Sequence, residues 1–323
     1  MSKLDKKDYC LLFELDKNSR QSIHDLARKT KLSRDVVAYR MKQLEKNLVI
    51  QNYIALIDFS RLGYQAVRLY LKLQDTTAEI EQQIIEHFMG HKNILTVYHI
   101  DGKYDLAIGF LVKDLRTYQT TFEDILQQYR HYIADKHFSV FIEYLRFHRN
   151  YLVEKKRWDY SAISTGCGKL FAYDRQDLTL LQEISENARI TLLELAQKLK
   201  MTAAGVKYKL KNLEKLGVIV GYTIIFDFHA LGYEYYKVDL EVEDLKILPG
   251  LHEFAKRHPH IIYRDITVGG SDFEFDCELK SQDDFYTLMG EIKALFPQKI
   301  RHYFYYKALK IYKYAYFSED LQA

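Results

Sequence analysis

Three cysteines, three prolines and one tryptophan are all that a chain of 323 residues holds of those types. Cys10, Cys167 and Cys277 are far apart, odd in number and outside any CxxC spacing. A disulfide framework and a cysteine zinc knuckle are therefore excluded, and reduced thiols are expected. No apolar run reaches the roughly 18 to 20 residues of a membrane helix, and the opening MSKLDKKDYC lacks the apolar core of a secretory signal. A cytoplasmic protein with no membrane partner is the expectation. Glycine-rich nucleotide fingerprints, P-loops, HExxH and nucleophile elbows are missing too, so the sequence shows no sign of enzymatic chemistry or of a bound cofactor.

Charge of either sign is also scarce in the sum, at +3 net, but not in its distribution. Residues 3–50 hold 12 Lys/Arg against 7 Asp/Glu, and residues 172–219 hold 8 against 6, which leaves the remainder at net −4. Two basic stretches in an acidic remainder are what a polyanion-binding protein presents.

What the chain does have is itself twice. At an offset of 169 residues, 25 of 60 positions are identical without a gap between 5–64 and 174–233. The repeat implies helix-turn-helix modules over 1–50 and 172–219, second modules over 51–149 and 220–323, and a connector over 150–171. In each first module, Asp5 and Asp174 precede an apolar helical pattern. Ser22 with Asp25, and Thr191 with Glu194, are capping-box spacings that open a short second helix. Ser33 and Thr202 cap a third helix whose inward stripe is Val37, Met41 and Leu44 in copy one and Val206, Leu210 and Leu213 in copy two. Its outer face carries Arg34, Tyr39, Arg40 and Lys42, or Lys207, Tyr208, Lys209 and Lys211. A capped helix with cations and planar donors outward fits the major groove of double-stranded DNA, and these eight residues, with the two caps, are the candidate DNA-binding set.

The pattern D-x-x-D, N-x-R, L-A and L-E-K-x-G-V-I-x-G-Y, borne by Asp174, Asp177, Asn187, Arg189, Leu195-Ala196, Leu213-Glu214-Lys215, Gly217-Val218-Ile219 and Gly221-Tyr222, resembles the Lrp/AsnC (feast/famine) family of transcription regulators. Copy one departs from it at Leu48 and Asn52. Asn52 is expected to keep a turn because Asn tolerates positive φ, and Asn47 to supply the left-handed residue that Leu48 resists.

Each second module reads β-α-β-β-α-β: alternation over Val67–Leu73, a helix around Ile80–Phe88, strands at Ile94–Ile100, Tyr104–Val112 and Phe138–Leu145, and a helix over 115–130. Copy two repeats the order, making the fold class α+β, two copies of a winged-type helix-turn-helix plus a ferredoxin-like domain. The resemblance implies assembly through this domain, as a pseudo-dimer within the chain and a homodimer or higher oligomer between chains. It also implies an amino-acid effector near the turn between the second and third strands, with Asp101, Gly102, Tyr104, Asp105, Gly269, Gly270 and Asp272 as candidates. Ordinary hairpin turns would use the same residue types.

His87 and His91 stand at i, i+4, a zinc-compatible spacing without an evident third ligand, so solvated histidines and no metal are expected. Tyr303-Phe304-Tyr305-Tyr306 reads as strand and interface packing. Two alternatives stand beside the regulator: a tetrapyrrole-binding sirohaem decarboxylase-like enzyme, whose Asn-His-Arg stretch is missing after the third helix, and an effector-binding interaction protein without DNA affinity.

Overall fold

A computed structural model describes residues 4–166, 168–315 and 317, so Cys167 lies outside the described residues; Cys10 and Cys277 are free and buried. The first helix-turn-helix module is α1 (Lys6–Lys17), α2 (Ile23–Thr30) and α3 (Arg34–Lys46). Asp5 and Asp8 close a capping box at the start of α1, and the hydroxyls of Ser22 and Ser33 accept amides of α2 and α3. Then follow β1 (Ile50–Ile57), β2 (Gln65–Leu73), α4 (Ala78–Gly90), β3 (Ile94–Gly102), β4 (Leu106–Val112), α5 (Leu115–Tyr129) and β5 (Ile133–Phe147). The connector holds β6 (Ala162–Thr165). Copy two repeats the plan as α6 (Arg175–Glu186), α7 (Leu192–Leu199), α8 (Ala203–Lys215), β7 (Ile219–Phe226), β8 (Glu234–Val242), α9 (Leu248–Arg257), β9 (Ile261–Val268), β10 (Phe273–Leu279), α10 (Gln282–Leu295) and β11 (Ile300–Tyr314).

The copies interlock. Strand β1 pairs antiparallel with β7, so the strand leaving each helix-turn-helix module finds its partner in the other copy. The core of the first helix-turn-helix module takes in Ile224, Phe226 and Leu231 of copy two, and that of the second takes in Ala55, Ile57 and Leu62 of copy one. The ferredoxin-like sheets also exchange strands. The first half of β5 pairs with its own β2, and from Val140 onward β5 pairs with β9 of copy two. The first half of β11 pairs with its own β8, and from Tyr306 onward with β3 of copy one. The order β2-β4-β3-β11-β8-β10-β9-β5, with β5 returning to β2, closes a ring of eight strands and leaves β6 on the outer edge of β5. Closure removes the free edges that two open sheets would expose.

Period-two alternation decides what each strand faces. Val67, Leu69 and Leu71 of β2 pack under α4 and α5, and Tyr236, Val238 and Leu240 of β8 pack under α9 and α10. The intervening residues point into the ring. In β10 every residue is buried, charged ones included, so strands that read as half-solvated have their polar face covered by the other copy.

Two local expectations change. Leu48 itself takes the left-handed conformation, at φ +56°, as Gly217 does at φ +70°, while Asn47 stays at φ −87°. The chain must reverse there whatever residue stands in place, and Leu48 bears the strain with its side chain exposed. Asn52 and Gly221 have no positive φ; both lie in extended strand, and at Gly221 a Cβ would come within 3.0 Å of Ile163. The connector is packed against both copies: Asn150 and Leu152 are buried, and Ala162–Thr165 is sheet.

Candidate nucleic-acid interface and the inter-copy cavity

Helices α3 and α8 turn their apolar stripes inward, with Val37, Met41 and Leu44 buried in one and Val206, Leu210 and Leu213 in the other. Arg34, Lys42, Lys207 and Lys211 are exposed on the outer faces, and Tyr39 and Tyr208 are 64% and 74% exposed. An aromatic ring so far out of the core, at the same position in both copies, has no role in folding its own module. The Arg34 guanidinium lies 2.9 Å from His24 Nδ1. Ser33 and Thr202 are N-caps, each accepting an amide through its hydroxyl.

Arg40 and Lys209 have a different task from the one expected of them. Arg40 pairs with Asp5 and Asp8 at 2.9 and 2.7 Å, and Lys209 with Asp174 and Asp177 at 2.8 Å each. The third helix is thereby clamped to the start of the first, and both cations belong to module assembly rather than to the outward face.

The turn candidates are likewise occupied. Asp105 accepts from the Lys72 ammonium at 2.7 Å and the Leu73 amide at 2.6 Å, and Asp272 accepts the Val242 amide at 2.9 Å. Tyr104 is buried in a stack with Tyr70 and Tyr306. Gly102 is pressed on β11, where a Cβ would lie 2.5 Å from the Tyr305 carbonyl, while Asp101 is exposed opposite Lys307. Gly269 holds φ +83°, and Gly270 sits against Glu274 and Thr267. These residues lie at the two turns, where Asp105 and Asp272 tie neighbouring strands.

Two buried charge clusters escaped the sequence reading. Asp16, in α1, is fully buried and takes hydrogen bonds from Arg146 and from Arg149, the latter at 2.8 Å. Arg149 also holds Glu278 of copy two in a two-pronged pair at 2.8 and 2.9 Å, and Tyr151 donates to the same carboxylate. Burial works to raise the Asp16 pKa, but Arg146 and Arg149 overcome it and hold the carboxyl at about 2. The cluster rivets the first helix-turn-helix module to β5 and β10.

The second cluster lies inside the ring. Arg68 pairs with Asp265 at 2.9 Å and with Glu274. The Lys237 ammonium stands 2.7 Å from Asp265, 3.0 Å from Glu274, 3.5 Å from Asp276 and 3.7 Å from Asp239. Beside them is a cavity of about 220 Å³ walled by Tyr70, Tyr98, Tyr144, Tyr235, Tyr306 and Tyr314. Its legible sign was the spacing of charges at every second residue of EYYKVDLEV and FEFDCEL. Which face they took depended on the other copy.

A third finding concerns the histidines. Asp124, on α5, brings its Oδ2 to 2.8 Å from His87 Nε2 and 3.4 Å from His91 Nε2, a third donor that the sequence spacing did not reveal. The aromatic run of β11 does serve packing: Tyr303–Tyr306 pair along β8, with Tyr305 against Phe285.

A model of winged helix-turn-helix DNA-binding domains matches twice, at residues 4–50 and 173–220. An uncharacterized HTH-type transcriptional regulator of Pyrococcus furiosus is 30% identical over 130 residues, covering 40% of this chain and 84% of that protein. The Bkd operon transcriptional regulator of Pseudomonas aeruginosa is 31% identical over 120 residues, covering 37% and 78%. The chain belongs to the Lrp/AsnC family of transcription regulators. These two relatives each correspond to about one copy of this tandem-duplicated regulator. Over its whole length the regulator is similar to the siroheme decarboxylase NirDL, with a TM-score of 0.65, 98% of this chain and 96% of that one covered, and 13% identity. At that identity the likeness is one of fold: a paired arrangement of the two halves. No helix among the described residues is long and apolar enough to cross a membrane.

Proposed function

We propose that this DNA-binding regulator acts as a covalent pseudo-dimer that reads double-stranded DNA sequence-specifically through α3 and α8, with unequal halves. The observation that carries the reading is the pair of outward faces, each with an exposed tyrosine among cations, on modules held in matching positions by reciprocal packing. Arg34 has no cationic counterpart in copy two, where Ala203 stands, whereas Lys207, Lys211 and Lys42 are point charges. Arginine bridges a guanine edge and lysine anchors phosphate. Copy one therefore supplies more base reading and copy two more phosphate anchoring. This function places the chain in the cytoplasm, on the nucleoid when bound, and allows further assembly into dimers or higher oligomers.

Selection from random DNA by gel shift tests it. One enriched, asymmetric site is expected, with Arg34→Ala relaxing sequence preference and Lys207→Ala weakening all sequences alike; equal relaxation by both would sink the asymmetry, and no enrichment at all would favour an interaction protein without DNA affinity. A Soret band on haem addition would instead revive a tetrapyrrole enzyme.

Small-molecule control belongs to the same reading. The two turns are the family-derived place for an amino acid, although Asp105 would have to release Lys72 and the Leu73 amide to receive one. Calorimetry with the twenty amino acids decides: neither heat nor a shift in melting temperature would end that assignment.

A further inference from the structure

The acidic residues inside the ring come from one copy. Where β2, β3 and β4 of copy one present Tyr70, Tyr98, Ala107 and Gly109 inward, β8, β9 and β10 of copy two present Asp239, Asp265, Glu274 and Asp276. The cations are balanced, Arg68 in one copy and Lys237 in the other. Four carboxylates thus face two cations in a place where burying uncompensated charge is expensive. The imbalance is written into the cavity wall: Asp265 Oδ1 and Asp276 Oδ1 are buried and accept no hydrogen bond. Around them the wall is aromatic, with electron-rich ring faces that attract cations.

We propose that this cavity binds a small organic cation, an amine whose ammonium lies between Asp265 and Asp276 and whose apolar body rests on the tyrosines, and that this amine is the regulator's effector. A volume of about 220 Å³, roughly seven molecules' worth of liquid water, suits a compact monoamine. The cation supplies the donors that the two oxygens lack and halves the excess of negative charge. Only an asymmetric pair of halves can build such a site, because a symmetric dimer would place the same four acids on both sides.

Position links the cavity to the DNA modules. It shares Tyr98, Tyr235 and Tyr314 with a neighbouring cavity of about 510 Å³ that reaches Ile225–His229 at the end of β7. It shares Thr96, Phe141 and Tyr144 with another, of about 900 Å³, that reaches Ile54–Ser60 at the end of β1. The strands at which the DNA modules join the ring therefore border the same tyrosine wall. The effector role rests on the regulator reading above; the binding site itself does not.

Calorimetry and thermal shift on the full chain at pH 8, with tyramine, benzylamine and 1,4-diaminobutane as probes and tyrosol as the neutral counterpart of tyramine, test the site. One amine is expected to bind one per chain and raise the melting temperature, with tyrosol at least about tenfold weaker because a hydrogen-bonded charge is lost. Asp276→Asn should remove amine binding. Ala308→Leu, which fills the cavity and keeps every charge, should do the same and guards against misfolding of the first variant. Failure of all three amines to bind overturns the site, as does binding that survives both variants. Amine binding with unchanged affinity for the selected DNA overturns the effector role alone.

A separate observation carries a second site. We infer that His87, His91 and Asp124 bind a divalent transition metal such as zinc on the outer face of the ring, joining α4 to α5. Their three ligand atoms lie within 4.8 Å of one another, and ligands about 2.0 Å from a tetrahedral zinc stand roughly 3.3 Å apart, close to the 2.8 and 3.4 Å observed from Asp124. Titration of the full chain with cobalt(II) should give a d–d absorption band at one equivalent, displaced by zinc and lost in His91→Ala and Asp124→Ala. No band, or a band unchanged in both variants, overturns the site.

Discussion

Arg20 and Arg189, 169 residues apart, each cross to the other copy: Arg20 donates to the Ala188 carbonyl, and Arg189 to the Ser19 carbonyl at 2.6 Å. Each guanidinium also lies over a tyrosine of its partner's hinge strand, Tyr222 for Arg20 and Tyr53 for Arg189. The repeated residue has become a reciprocal latch.

Removing one latch should cost about 1–2 kcal/mol, the scale of a hydrogen bond to a charged donor. Arg20→Ala and Arg189→Ala are expected to shift the denaturation midpoint similarly, and the double variant by about their sum. A single variant as damaging as the double would mean that the two latches act as one unit.

Leu48 holds a left-handed conformation that costs a non-glycine residue about 1 kcal/mol. Leu48→Gly is expected to stabilise the chain by about 0.5 kcal/mol after the greater freedom of glycine in the unfolded state is counted. Gly217→Ala should destabilise it by about 1 kcal/mol, and urea denaturation reads both.

Arg40 separates module folding from DNA reading. Because it is tied to Asp5 and Asp8, Arg40→Ala should lower the stability of the first module, while sequence preference measured at a temperature where the chain is folded stays as it was. Arg34→Ala should do the reverse.

Acid and base work on opposite clusters. The Asp16 carboxyl is held below its ordinary value, so its contribution is present above about pH 4 and lost as pH falls through about 2. That difference amounts to about 2 kcal/mol. Asp239 and Asp276 are pushed up, chiefly by burial, to about 6 and about 7, even with Lys237 beside them. The groups facing them are Arg68 and Tyr70 on β2, Tyr144 on β5, Tyr235 and Lys237 on β8, Asp265 on β9, Glu274 on β10 and Tyr306 on β11. A raised carboxyl stabilises below its unfolded value and loses that contribution as pH rises through its folded one. Melting temperature should therefore climb from pH 2 to about 4, then decline towards 7, and Asp276→Asn should flatten the second limb. A second limb of the same slope in that variant would assign the decline elsewhere.

The repeat, the capped helices and the outward cations were legible because local rules fix them: an N-cap at Ser33 or Thr202 and a stripe at i, i+4, i+7 need no partner. The order of strands was legible for the same reason. Arg40 and Lys209 were misread because helical spacing puts a residue on a face without saying what stands opposite. Asp124 was missed because it comes from another helix.

The sequence by itself determined that there are two copies, what each is made of, and which helices can meet DNA, since periodicity and capping act within a few residues. Only the tertiary structure decided that β5 and β11 cross between copies. The same closure buried the acids of copy two against Arg68 and put Asp16 out of reach of water. A strand's alternation offers two faces, and which one is buried is settled by the element that covers it. Here that element is the other copy.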